Sequence, residues 1–172
     1  MTAEQRRSTV LSLLEETEHP VSASLLAQQC GVSRQVIVGD IALLRAAGSN
    51  IAATPRGSLL ERPVSGVIRQ LVCRHSAADA ATELNIIVDC GCTAVDVSVE
   101  HPVYGQITAA LQISSRYDVE QFVTRMGSAE ARHLSSLTEG IHLHTVLCPD
   151  NDRFSRLQSM LKEKGFLLTD ND

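Results

Sequence analysis

Apolar positions recur at helical spacing through the first fifty residues and alternate at strand spacing through most of the remaining chain. Val10, Leu11, Leu13 and Leu14, set among Arg and Glu, predict an amphipathic helix over residues 3–17, closed by His19-Pro20. Leu25, Leu26 and Ala27 predict a second, short helix capped by Ser22 or Ser24 and ended by a tight turn at Gly31. In Ser33–Gly48, Ile37, Ile41 and Leu44 form one stripe, while Arg34, Gln35, Val38, Gly39 and Arg45 fall on other faces. Ser33 supplies the N-cap and Gly48 the stop. Two short apolar segments around Pro55-Arg56-Gly57 then read as a hairpin.

From Val64 the pattern changes. Strands are predicted over residues 64–73, 94–99, 106–114 and 140–148, and helices over 76–88, 117–126 and 153–164. Ser76 would cap the first of these helices with Asp79 as its capping-box partner. The order β-α-β-β-α-β-α predicts an open-faced sheet with helices on one face, an α+β unit. The chain therefore divides into residues 1–62 and 63–172, linked near Glu61–Pro63.

With 3% aromatic residues and no Trp, both cores must be aliphatic. Residues 1–62 balance six Arg against six acidic residues, and the remainder carries the whole net charge of −5. Neither half is a basic nucleic-acid arm, so any DNA contact must come from a few placed arginines doubled by a second copy. No apolar run is long enough to span a bilayer, and the first residues lack an apolar signal core, so the expected location is the cytoplasm without membrane contact. Five scattered cysteines argue against a disulfide framework. Cys30, Cys73 and Cys148 read as small buried hydrophobes, and Cys90-Gly-Cys92, which could bind metal or oxidise, as a helix-to-strand turn.

A small residue, a glycine turn and a Ser-capped helix that begins Arg-Gln make a helix-turn-helix pattern, and the hairpin after it makes the domain winged. Arg56 sits at the wing tip, where phosphate or minor groove would lie. The segment from Ala27 to Leu60 resembles the winged helix of metabolite-responsive repressors, including the bacterial biotin repressor; the resemblance implies DNA contacts at Ser33, Arg34 and Gln35. Other partners are open to two arginines: Arg34 could pair with Asp40, and Arg45 could be a solvated or ion-paired surface residue.

In the second half His142 and His144 stand two apart on a strand, so both imidazoles leave one face with about 6.6 Å between their α-carbons, a suitable separation for two ligands of one metal. His75, just before the helix cap, can fold back toward Glu83, whose side chain leans toward the helix N-terminus. Asp79 competes as the carboxylate, and spacing alone prefers it. Three imidazoles and a carboxylate suit Zn, Ni, Fe or Mn and leave one or two positions open.

The stretches RHSAADAATELNIIVD, VDVSVEHPVYGQI, SRYDVEQF and SSLTEGIHLHT together resemble the 3H domain. Its pairing with this winged helix is similar to the niacin-responsive repressors of NAD biosynthesis and niacin uptake. The resemblance implies a phosphocarrier-like fold, a homodimer, and nickel or a similar transition metal on His75, Glu83, His142 and His144. It also implies operator DNA as partner and nicotinic acid as co-repressor. His101, Tyr104 and Arg116 lie in shared motifs and are candidate ligand contacts, with Tyr104 able to stack on a pyridine ring and Arg116 to pair with a carboxylate. HPVYG could equally shape a turn, and Arg116 could cap or pair with Asp118. His19 and His133 read as surface residues. The competing class is a metal-dependent amide hydrolase carrying a DNA-binding domain, with Asp79 as its obvious general base; a biotin-type ligase is disfavoured by the short second half and the lack of a Gly/Arg-rich nucleotide loop.

Overall fold

The structure is a computed structural model that describes residues 1–61, 65–129 and 131–169. It divides into two compact units, Met1–Pro63 and Val64–Asp172. Of the expected link, Arg62 and Pro63 lie outside the described residues, as does Val64, the expected start of the next strand.

The first unit packs α1 (Ala3–Glu15), α2 (Ala23–Cys30) and α3 (Arg34–Ala46) around Val10, Leu14, Leu26, Ile37 and Ile41. Each helix begins at a hydroxyl cap: Thr2 accepts from Gln5 N, Ser22 from Leu25 N and Ser33 from Val36 N. Gly31 ends α2 in the left-handed region at φ 67°, and the small, buried Ala27 lets α2 and α3 approach. The hairpin β1 (Ile51–Thr54) and β2 (Gly57–Leu60) turns through Pro55 and Arg56. Val21 bridges to Ser58 on the outside of β2. That close approach requires glycine beside it, because a Cβ on Gly57 would fall 2.2 Å from the Val21 carbonyl oxygen. Arg45 is not simply a solvated surface residue: its Nε donates to the Ile51 carbonyl at 2.7 Å and ties α3 to the wing.

The second unit is one antiparallel four-stranded sheet in the order β3 (Val67–Arg74), β6 (Ile141–Cys148), β4 (Thr93–His101), β5 (Gly105–Ile113). α4 (Ala80–Asp89), α5 (Arg116–Ser128) and α6 (Asn151–Glu163) complete the expected order. Strand parity puts His142, His144, Val146 and Cys148 on the buried face of β6, where they join Leu71, Cys73, Ile87 and Leu161.

Three local readings change. The expected helix at Ser76 begins as a 3-10 turn, Ala77–Asp79, before α4. The Asp79 amide bonds the Ser76 carbonyl, and the Ser76 hydroxyl donates to the Asp79 carboxylate at 2.8 Å, so no capping box forms. The alternation of β4 is interrupted by a bulge between Ala94 and Asp96. Finally, Cys92 and Cys148 are joined by a disulfide, while Cys30, Cys73 and Cys90 are free and buried. The pairing of Thr93 with Leu147 sets these two cysteines side by side at neighbouring strand ends, a long-range register that their spacing along the chain does not reveal.

Candidate metal centre and nucleic-acid interface

Glu83 enters the core from the first turn of α4, its side chain 2% exposed, and three imidazoles surround it. His75 Nε2 lies 2.7 Å from Oε2, His142 Nε2 3.1 Å from Oε2 and 3.2 Å from Oε1, and His144 Nε2 3.2 Å from Oε2. The structure thus brings His75, Glu83, His142 and His144 together and leaves out Asp79, which Ser76 engages. Ligand atoms of His75, Glu83 and His142 all lie within 4.8 Å of one another, a group able to hold a metal ion.

The other nitrogen of each ring decides the chemistry. His75 Nδ1 donates to the Ser76 carbonyl (2.8 Å), His142 Nδ1 to the Gly140 carbonyl (2.8 Å) and His144 Nδ1 to the Asp96 carbonyl (2.7 Å). A carbonyl only accepts, so every Nδ1 carries the proton and every neutral ring turns an Nε2 lone pair inward. Three lone pairs then face a carboxylate that also only accepts. A cation at the centre, metal or proton, resolves that clash, and backbone carbonyls that fix the tautomer are the usual support of metal-bound histidines. The β4 bulge serves this arrangement: beside it Asp96 takes the Thr145 amide on its carboxylate and turns its carbonyl to His144.

Burial alone would raise the Glu83 carboxyl, but the charge of His144 and the hydrogen bonds of all three imidazoles hold it well below its usual range. Burial likewise pushes His75 and His144 down, and Glu83 more than offsets it, leaving both raised. Two neighbours escaped the sequence reading. Cys73 stands directly across from His142 in the sheet, its thiol pushed up by burial and then by Glu83. His133, expected at the surface, is half-buried and lowered by burial and by the charges of His75 and His142.

The other candidate ligand contacts have separate partners. His101 Nδ1 accepts from the Val103 and Tyr104 amides at 3.2 Å and so shapes the HPVYG turn; its ring lies 4.9 Å from that of Tyr104, which is 78% exposed. Arg116 forms a two-pronged pair with Asp89, not with Asp118, because Asp118 closes a capping box with Ser115.

In the first unit Arg34 and Gln35 are exposed at the start of α3, beside Ser33, whose hydroxyl accepts from Val36 N at 3.4 Å. Arg34 does not pair with Asp40: that carboxylate is buried and held by Arg6 Nε at 2.6 Å and Nη2 at 3.2 Å, with Arg7 at 3.7 Å. Arg56 is half-buried in the wing turn.

Residues 6–57 match a helix-turn-helix domain family and residues 68–170 match the 3H domain family. The chain is 44% identical over 165 residues to a protein of Thermotoga maritima named probable transcription repressor NiaR, across 96% of this chain and 94% of that one. It is 40% identical over 169 residues to the transcription repressor NadR of Bacillus subtilis, across the same shares of each chain. The chain belongs to the NiaR/NadR family of transcription repressors. As a member of that family it is a DNA-binding regulator and not an enzyme, which removes the hydrolase alternative. Its helix-turn-helix implies operator DNA as partner. Among the described residues, no helix is long and apolar enough to cross a membrane.

Proposed function

We propose that this repressor is metal-dependent and responds to nicotinic acid, binding its operator as a homodimer to control genes of NAD biosynthesis or niacin uptake. The observation that carries the metal is the convergence of three Nε2 lone pairs on a buried carboxylate. His75, Glu83, His142 and His144 would hold the ion; nickel is favoured by the resemblance, and zinc, iron or manganese suit the same donors. A bound ion would supply a fixed positive charge to this buried cluster. Nicotinic acid follows from the resemblance of the second unit to niacin-responsive repressors. On the DNA, Arg34, Gln35 and Ser33 would meet the major groove and Arg56 the backbone or minor groove, with two copies of α3 about 34 Å apart.

Operator binding measured with and without nicotinate, on metal-loaded and chelator-treated protein, tests the proposal. Tight binding is expected only with both present. Equal affinity in all four conditions overturns it.

A further inference from the structure

One cavity borders the metal cluster. It has a volume of about 490 Å³, within the roughly 300–1,000 Å³ of small-molecule sites. Its walls come from two directions. The end of β3 and the turn after it contribute Arg74, His75 and Ser76, and the 3-10 turn Leu134–Thr138 with its exit contributes Ser135, Ser136 and Glu139.

The polar lining selects a chemical class. Arg74 is the only cation among the lining residues besides the His75 imidazole, and among the described residues it makes no ion pair. A guanidinium is the side chain best matched to a carboxylate, through two parallel N–H bonds. The serine hydroxyls add neutral donors and acceptors. Glu139 supplies the opposite sign, so a second carboxylate on the ligand would meet a negative charge in a small space. The lining therefore fits a small molecule with one carboxylate better than a dicarboxylate or an uncharged amide.

The same wall touches the metal ligands. Gly140 lines the cavity, and its carbonyl accepts from both the His75 amide (3.4 Å) and His142 Nδ1 (2.8 Å). It adopts φ 90°, and a Cβ there would lie 2.4 Å from the His75 carbonyl oxygen. A ligand that presses on this turn acts on the backbone that orients two of the imidazoles. Coupling of that kind is reciprocal: metal strengthens ligand binding by the factor by which ligand strengthens metal binding.

We propose that this cavity is the effector pocket, that it takes a small monocarboxylate with Arg74 as its anchor, and that Glu139 excludes dicarboxylates. The inference rests on the reading of the chain as an effector-responsive repressor, and it places the effector away from His101, Tyr104 and Arg116.

Calorimetric titration of the full-length, metal-loaded protein with nicotinate, pyridine-2,3-dicarboxylate and nicotinamide tests it. Wild-type protein is expected to bind nicotinate at least about tenfold more tightly than the other two. Arg74→Gln should weaken nicotinate by about tenfold or more with metal content and thermal unfolding unchanged, Glu139→Gln should narrow the gap to the dicarboxylate, and Arg116→Gln should leave nicotinate affinity as it was. Unchanged nicotinate affinity in Arg74→Gln overturns the pocket assignment alone. Absence of binding by all three compounds to wild-type protein overturns the effector-responsive reading and the pocket with it.

Discussion

Each unit of this repressor holds a buried carboxylate among basic side chains, Asp40 in the first and Glu83 in the second, and the two are neutralised in opposite ways. Asp40, its side chain 4% exposed, faces guanidinium groups of Arg6 and Arg7, which carry donors and a permanent charge at any physiological pH. Glu83, 2% exposed, faces three imidazoles whose inward nitrogens are acceptors unless a proton or metal ion arrives. The first arrangement is settled by covalent chemistry and locks α1 onto α3. The second is conditional. A DNA-reading unit gains from a fixed internal geometry, whereas the sensing role proposed for the second unit needs a charge that its surroundings can supply or withdraw.

Substitutions at the two carboxylates should separate these roles most sharply. Glu83→Gln is expected to reduce metal affinity by more than the roughly 10–100-fold that outer-shell changes cost, because it removes a charged ligand at the centre of the cluster. Its amide can donate to an imidazole lone pair, so the metal-free fold should survive. Metal analysis after desalting, with circular dichroism as the check on folding, measures both; stoichiometric metal in Glu83→Gln would erase the contrast. Asp40→Ala, by comparison, should leave metal content unchanged and destabilise the first unit, since it removes the buried carboxylate that ties Arg6 of α1 to α3. Urea unfolding reads that loss.

The pH dependence should differ in sign with metal. His75 and His144 are raised above 6.5 in the fold, so in metal-free protein their contribution is complete below about pH 6.5 and lost as pH rises through their folded values. Glu83 is depressed below 4.5, so its contribution is present above that value and lost as pH falls through its folded one. Metal-free protein should therefore be most stable between about pH 4.5 and 6.5. Metal competes with protons for the same nitrogens, and its added stabilisation should grow as pH rises. Unfolding midpoints at about pH 5.5 and 8, with chelator or with nickel, would show both trends; parallel behaviour in the two forms would count against the cluster as the binding site. The smallest effect concerns the other unit: Arg34→Ala should weaken operator binding by about 1–3 kcal/mol if it reads a base, with no change in metal content. Gel-shift titration of specific and scrambled DNA decides whether the loss is sequence-dependent.

Much of this was legible in the chain because it is local. Caps at Ser22 and Ser33, the turn at Gly31 and the stripe of Ile37 and Ile41 depend on neighbours within a few positions, and strand parity puts His142 and His144 on one face. The choice between Asp79 and Glu83 was not legible from spacing, since it turns on whether the first turn after Ser76 is 3-10 or α-helical. Cys73 opposite His142, the Cys92–Cys148 bond, and Arg116 on Asp89 all depend on which distant segments become neighbours. His133 is brought near the cluster by the path of the segment between α5 and β6, which carries no periodic signal.

Glu83 and His142 are also 59 positions apart along the chain. An ion held between them would join such distant segments only in the folded chain, so its binding free energy would add to the free energy of folding. Loss of an ion from the proposed site would thus raise the population of open, cleavable chain, and resistance to proteolysis with and without chelator would report it.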